Sequence, residues 1–199
     1  MKELARLLSF DKSPRSGTAR FNWDDERFEI PRRDSQRQKV YDAERRAFPQ
    51  MFRRQLPADH DQMQAVIDAI TQSAFWRKLC ARSRRIPRKV ELVRAKQRNA
   101  WANSYSISIP IRMRSVPLLL HELAHAAAPV AASHHWVFCA IYLELVRHYM
   151  GNDWAKKLRA EFKAERVRYT PKRKRHMSEE QKEALRERLA TARAARKSD

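Results

Sequence analysis

Five consecutive residues, His121-Glu122-Leu123-Ala124-His125, form an HExxH motif inside the apolar run that opens at Leu118. On a helix, residues four apart share a face, so both imidazoles project together. Two ring nitrogens so placed can reach one tetrahedral zinc ion. Glu122 stands beside the first ligand and can reach water at the metal without binding the metal itself. The chemistry served by that combination is metal-assisted hydrolysis. Zinc acidifies a water and polarises a carbonyl, while Glu122 acts as general base and then as general acid to the leaving group.

A catalytic zinc takes three protein ligands, so the motif is one short. Pro129 ends the first helix and residues 129 to 133 can turn the chain back. His134 then opens a second helix, with Ser133 as N-cap. His134 and His135 are both in range, and spacing does not choose between them. Glu144, further along that helix, is a third candidate. His148, near the helix C-terminus, reads as a capping or surface histidine. The developing oxyanion needs a donor, and Tyr142, Tyr149, His135, Arg112 and Tyr105 are candidates.

These residues carry a resemblance. HELAHAAAP followed by HHWVFCAIYLELVRHYMG resembles a small family of metallohydrolases from actinobacteria and their phages. Val40 to Phe48, VYDAERRAF, resembles that family's early segment. More distantly, HExxH followed by His-Gly-x-x-Phe is the pattern of SprT-like zinc proteases. The resemblance spans about Val40 to Gly151. It implies His134 as third ligand, Phe138 as the motif phenylalanine, and a zinc hydrolase of the peptidase class. His135 departs from the pattern by standing where the motif has glycine.

Around this centre the sequence predicts an α+β, zincin-like domain. It should hold a small antiparallel or mixed sheet, the HExxH helix and a second buried helix, with a charged C-terminal helix outside. Asp59 and Gln62 form a capping box for a helix over about 60 to 80, with Met63, Val66, Ile67, Ile70, Ala74 and Phe75 as its apolar positions. Val90 and Leu92 suggest one strand. Tyr105, Ile107, Ile109 and Ile111 alternate with polar neighbours and suggest another, which Pro110 assigns to a sheet edge. By analogy with zincins, that edge could wall a substrate cleft. Ser115 caps the HExxH helix, with Pro117 in its first turn. The second helix runs from about His134 to Met150 and stops at Gly151. A third carries Trp154, Leu158 and Phe162 on one face. The expected organisation is an arm over 1–36, the metallohydrolase domain over 37–168, and a basic linker with a charged helix over 169–199. Ser178 and Gln181 cap that last helix. Residues 38–48 form a short element of undetermined type.

Composition bounds the rest. The chain has 199 residues, enough for one domain with a core. Two glycines, Gly17 and Gly151, leave no Gly-rich loop for nucleotide phosphates. Cys80 and Cys139 are too few for a disulfide framework or a Cys-based zinc site. No signal peptide or membrane span is expected, and a cytoplasmic location fits.

With 43 basic and 23 acidic residues, the formal net charge is +20. Residues 77–98 and 163–175 concentrate it. The expected partners are a polypeptide substrate and, through the basic patches, DNA or RNA. An assembly partner could be held by the N-terminal arm, with Phe21, Trp23, Phe28 and Ile30, or by the C-terminal helix. The competing readings are a nucleic-acid-binding protein with structural zinc, an assembly protein with a degenerate site, and an amidase on a non-peptide substrate.

Overall fold

The computed structural model describes residues 34–83, 86, 89–129, 133–170 and, towards the C-terminus, 179–180, 183–184 and 186–189. The first element, α1 (Arg37–Ala47), buries Val40, Ala43, Glu44 and Ala47 along one stripe. The undetermined stretch is therefore a helix, and an acidic residue sits in its apolar face. Next come α2 (His60–Thr71) and α3 (Ala74–Arg82), where the sequence suggested one continuous helix. Asp59 caps the first through Gln62 N, as expected. The break follows from Ser73, whose hydroxyl accepts from Trp76 N at 3.0 Å and starts a new helix. The apolar stripe shifts with it: Trp76, Leu79 and Cys80 are buried, not Ala74.

Three short strands follow: β1 (Glu91–Leu92), β2 (Trp101–Ala102) and β3 (Ser106–Ser108). Their order is β1-β3-β2, with β1 parallel and β2 antiparallel to β3. Leu92 and Ala102 both pair with Ile107. The mixed sheet matches the expected α+β class, but the edge assignment was wrong. The Ile107 strand is central. Pro110 lies beyond its end and precedes a 3-10 turn over Ile111–Met113, so its missing N–H costs no ladder bond. The free edge next to the HExxH helix belongs to β2.

Helix α4 (Val116–Ala127) carries HExxH. Ser115 caps it, accepting from Leu118 N and donating to Met51 O. Leu119, Leu120 and Leu123 are fully buried. Each such leucine stabilises the fold by about 2 kcal/mol, which helps offset the cost of burying a carboxylate and imidazoles beside them. Arg114, just before the cap, is buried and donates to the carbonyls of Pro57, Ala58 and Asp59 at 3.0, 2.6 and 3.1 Å. It fastens the loop ahead of α2 to the start of α4.

Helix α5 (Trp136–Tyr149) begins two residues later than expected, with His135 rather than Ser133 at the N-cap. Ser133 instead takes a left-handed φ of 38°. Gly151, at φ 99°, supplies the turn into α6 (Asn152–Ala164) that other residues rarely adopt. The buried stripe of α6 is Ala155, Leu158 and Phe162. Trp154 is displaced from that stripe, 41% exposed, with its ring 5.6 Å from Phe48.

Packing runs α1 on α6, α6 on α5, and α5 on α4; the other side of α4 meets β2 and β3, while α2 covers β1. Both cysteines are buried, and neither forms a disulfide among the described residues. No helix among the described residues is long and apolar enough to cross a membrane. Beyond Thr170 the described residues between 179 and 189 are helical and exposed, with Arg186 paired to Glu183. The aromatic positions of the expected arm, the basic run over 172–175 and the Ser178–Gln181 cap lie outside the described residues.

Candidate metal centre

Helix α4 aims His121 and His125 at one point, as their spacing requires. The left-handed turn at Ser133 delivers His134 to the same point from the start of α5. One nitrogen from each of the three rings can be chosen so that all lie within 4.8 Å of one another. Nε2 of His121 and Nε2 of His134 are 3.4 Å apart. Two nitrogens bound at ordinary lengths to a tetrahedral zinc stand about 3.3–3.4 Å apart, so the pair already has the edge length of such a site. His121, Glu122 and His134 are only 3–4% exposed. Phe138 packs against all three imidazoles, with ring centroids 4.3–5.0 Å away.

Two carboxylates back the rings. Nδ1–H of His121 donates to Glu44 Oε1 at 2.5 Å, and Nδ1–H of His134 donates to Asp34 Oδ2 at 2.6 Å. Each bond fixes the tautomer that turns an Nε2 lone pair inward, the usual support for a metal-binding histidine. Gln36 adds a clasp. Its Nε2 donates to His134 O at 3.1 Å and Arg168 O at 3.3 Å, and its Oε1 accepts from Arg168 N at 2.6 Å. The end of the stretch expected as an arm is thus built into the site.

The environment splits the titrations. Burial pushes Glu122 up to about 7; the charge of His121 opposes this and Glu44 reinforces it. For His121, burial acts downward, yet the charge and hydrogen bond of Glu44 outweigh it and the net shift is upward. Burial and the charge of His121 hold His134 below the usual histidine range and His125 well below it. Neutral imidazoles are the form that binds a cation. The donor set is three neutral-capable nitrogens with carboxylates behind two of them, and it can hold a metal ion.

The site opens on a cleft of about 230 Å³. His121 and Glu122 line it, with Arg37, Tyr41 and Glu44 of α1 on one wall. Met51, Phe52, Met113 and Leu118 give it an apolar side, and Asn99 and Ala100 lead from it into β2. The remaining candidates lie elsewhere. Glu144 is paired with Arg82. His135 sits at the N-cap of α5, its ring 6.0 Å from Trp136. His148, in the last turn of α5, stacks on Phe75 at 3.8 Å. Tyr142 OH donates to Pro117 O, and Tyr149 OH bonds with Ser73. Tyr105 and Arg112 are exposed and do not line the cleft.

No family model, curated protein or solved structure matches this chain. The sequence reading missed Asp34, Gln36, Arg37, Tyr41 and Glu44. Only Glu44 left a signal, as a carboxylate at a stripe position between Val40 and Ala47.

Proposed function

We propose that this protein is a zinc-dependent hydrolase of zincin type, acting on peptide bonds. The observation that carries the reading is the 3.4 Å approach of two inward Nε2 atoms, with His125 beside them and a carboxylate behind each Nδ1. A site meant only to pack would bury imidazoles without orienting their lone pairs on one point.

His121, His125 and His134 would hold the ion. Bound there, zinc supplies Lewis-acid chemistry, acidifying water and polarising a carbonyl. Glu122 lines the cleft next to His121 and takes the proton released by the attacking water on its carboxylate. A carboxylate in that position can accept the proton and return it. The same residue then protonates the departing amine. Glu44 and Asp34 hold the two rings in register through both transfers. The free edge of β2 and the apolar wall of the cleft suit an extended polypeptide, whose backbone can pair with the strand.

The test is metal analysis of wild type and Glu122→Gln, joined to a peptidase screen. Both proteins should carry stoichiometric zinc, and only wild type should cleave. A wild type that binds no metal after chelator-free purification would overturn the reading. His134→Ala should lose the metal and His135→Ala should keep it.

A further inference from the structure

Hydrolysis of a carbonyl needs a donor aimed at the oxygen that gains charge, and all five donors suggested by the sequence are committed or displaced. Tyr41 is neither. It belongs to the stripe Arg37, Tyr41 and Glu44 of α1, residues spaced to share one helix face. Glu44 braces His121 from that face. The Tyr41 ring stands edge-on to His134, centroids 5.1 Å apart, and 5.8 Å from His121. Its side chain lines the same cleft as Glu122 and His121.

The hydroxyl accepts from Arg37 Nε at 3.3 Å. Among the described residues this is the hydrogen bond formed at that oxygen, and it occupies a lone pair. A phenol has one proton to give, and occupying a lone pair with a donor turns that proton elsewhere. Because Tyr41 lines the cleft, the cleft is a direction open to that proton.

Resting on the hydrolase reading, we infer that Tyr41 is a catalytic residue: its O–H donates to the substrate carbonyl oxygen as that oxygen becomes negative. The phenol keeps its proton throughout, and no covalent bond to it forms or breaks. Arg37 is a positioning residue that orients the hydroxyl. The ring packing is separate from this role, so Tyr41→Phe removes the donor and keeps the wall.

The experiment uses the full chain loaded with cobalt(II) or zinc. Inorganic phosphate serves as a small tetrahedral anion, its binding read from broadening of its phosphorus resonance by the cobalt protein. Labelled casein reports turnover. Tyr41→Phe should keep metal stoichiometry and melting temperature. It should weaken phosphate about tenfold and lower kcat about 100-fold with little change in KM. Arg37→Met should weaken phosphate, and by less when Tyr41→Phe is already present.

Phosphate bound equally well by wild type and Tyr41→Phe overturns the assignment, whatever the turnover. Additive effects of the two substitutions overturn the positioning role of Arg37. If loaded wild type cleaves no peptide while Tyr41→Phe still weakens phosphate, the donor stands and the peptidase reading falls. If wild type takes up no metal, both fall.

Discussion

Replacing Glu122 with glutamine should stabilise the chelated protein at neutral pH while abolishing the hydrolysis we propose. The carboxyl group is raised from an ordinary 4.5 to about 7, chiefly by burial. Because the folded value is the higher one, the folded state binds more protons than the unfolded state between those two pH values. Stability contributed by this group is therefore full below about 4.5 and declines until about 7, beyond which the deficit is constant. At about 1.4 kcal/mol per pH unit, the gap from 4.5 to about 7 amounts to roughly 3 kcal/mol. Glu122→Gln has no charge to bury and escapes that deficit. Urea unfolding of both proteins after chelation, at several pH values from 4.5 to 8, reads the difference directly. The curves should coincide at the acid end and separate by a few kcal/mol above neutrality, with the variant more stable. Zinc should narrow the separation, since a cation beside the carboxylate favours its charged form. Parallel curves across the whole range would refute the claim that Glu122 is held in a desolvated, proton-retaining environment.

Three further outcomes are expected. Glu44→Gln and Asp34→Asn should each weaken zinc about 10- to 100-fold in a competition assay with a chromophoric chelator, because each unlocks one imidazole; unchanged affinity would remove the supporting role. Arg114→Met leaves three carbonyls without their donor and should cost about 2–3 kcal/mol in urea unfolding; a loss within experimental error would mean that water replaces the guanidinium. Lys89, Arg94, Lys96 and Arg98 are exposed on one stretch, so affinity for duplex DNA should fall steeply between about 50 and 200 mM salt; binding indifferent to salt would exclude phosphate contacts there.

His121 and His125 were legible because their information is local, whereas spacing left His134 and His135 open and only the family resemblance favoured His134. Four residues separate His121 from His125, and the proline-terminated turn returns His134 within reach. The carboxylates behind the rings were not legible, because Glu44 is 77 residues from His121 and Asp34 is 100 from His134. No periodicity spans such distances. The helix over 60–71 could be read from its cap and apolar stripe, but its end could not. Ser73 competes with helix continuation only because its hydroxyl finds Trp76 N, and a serine at that place is equally at home facing solvent. The central position of β3 was hidden for another reason. Leu92 and Ile107 pair directly and in parallel although β2 intervenes in the sequence, and a parallel neighbour leaves no turn signal. Ser133 misled through its type: serine is a common N-cap, yet here its backbone rather than its hydroxyl does the structural task.

The clasp at Gln36 has a consequence for biosynthesis. A ribosome releases the chain from its amino end, so Asp34, Gln36 and Glu44 emerge well before any of the three imidazoles. The last partner of Gln36, the backbone of Arg168, arrives 132 residues after it. Until then the Gln36 carboxamide can hold His134 O, but its oxygen lacks the Arg168 N–H. The clasp is therefore completed after the whole donor set has emerged, as a late lock on the backbone of His134 and not as a condition for bringing the donors together.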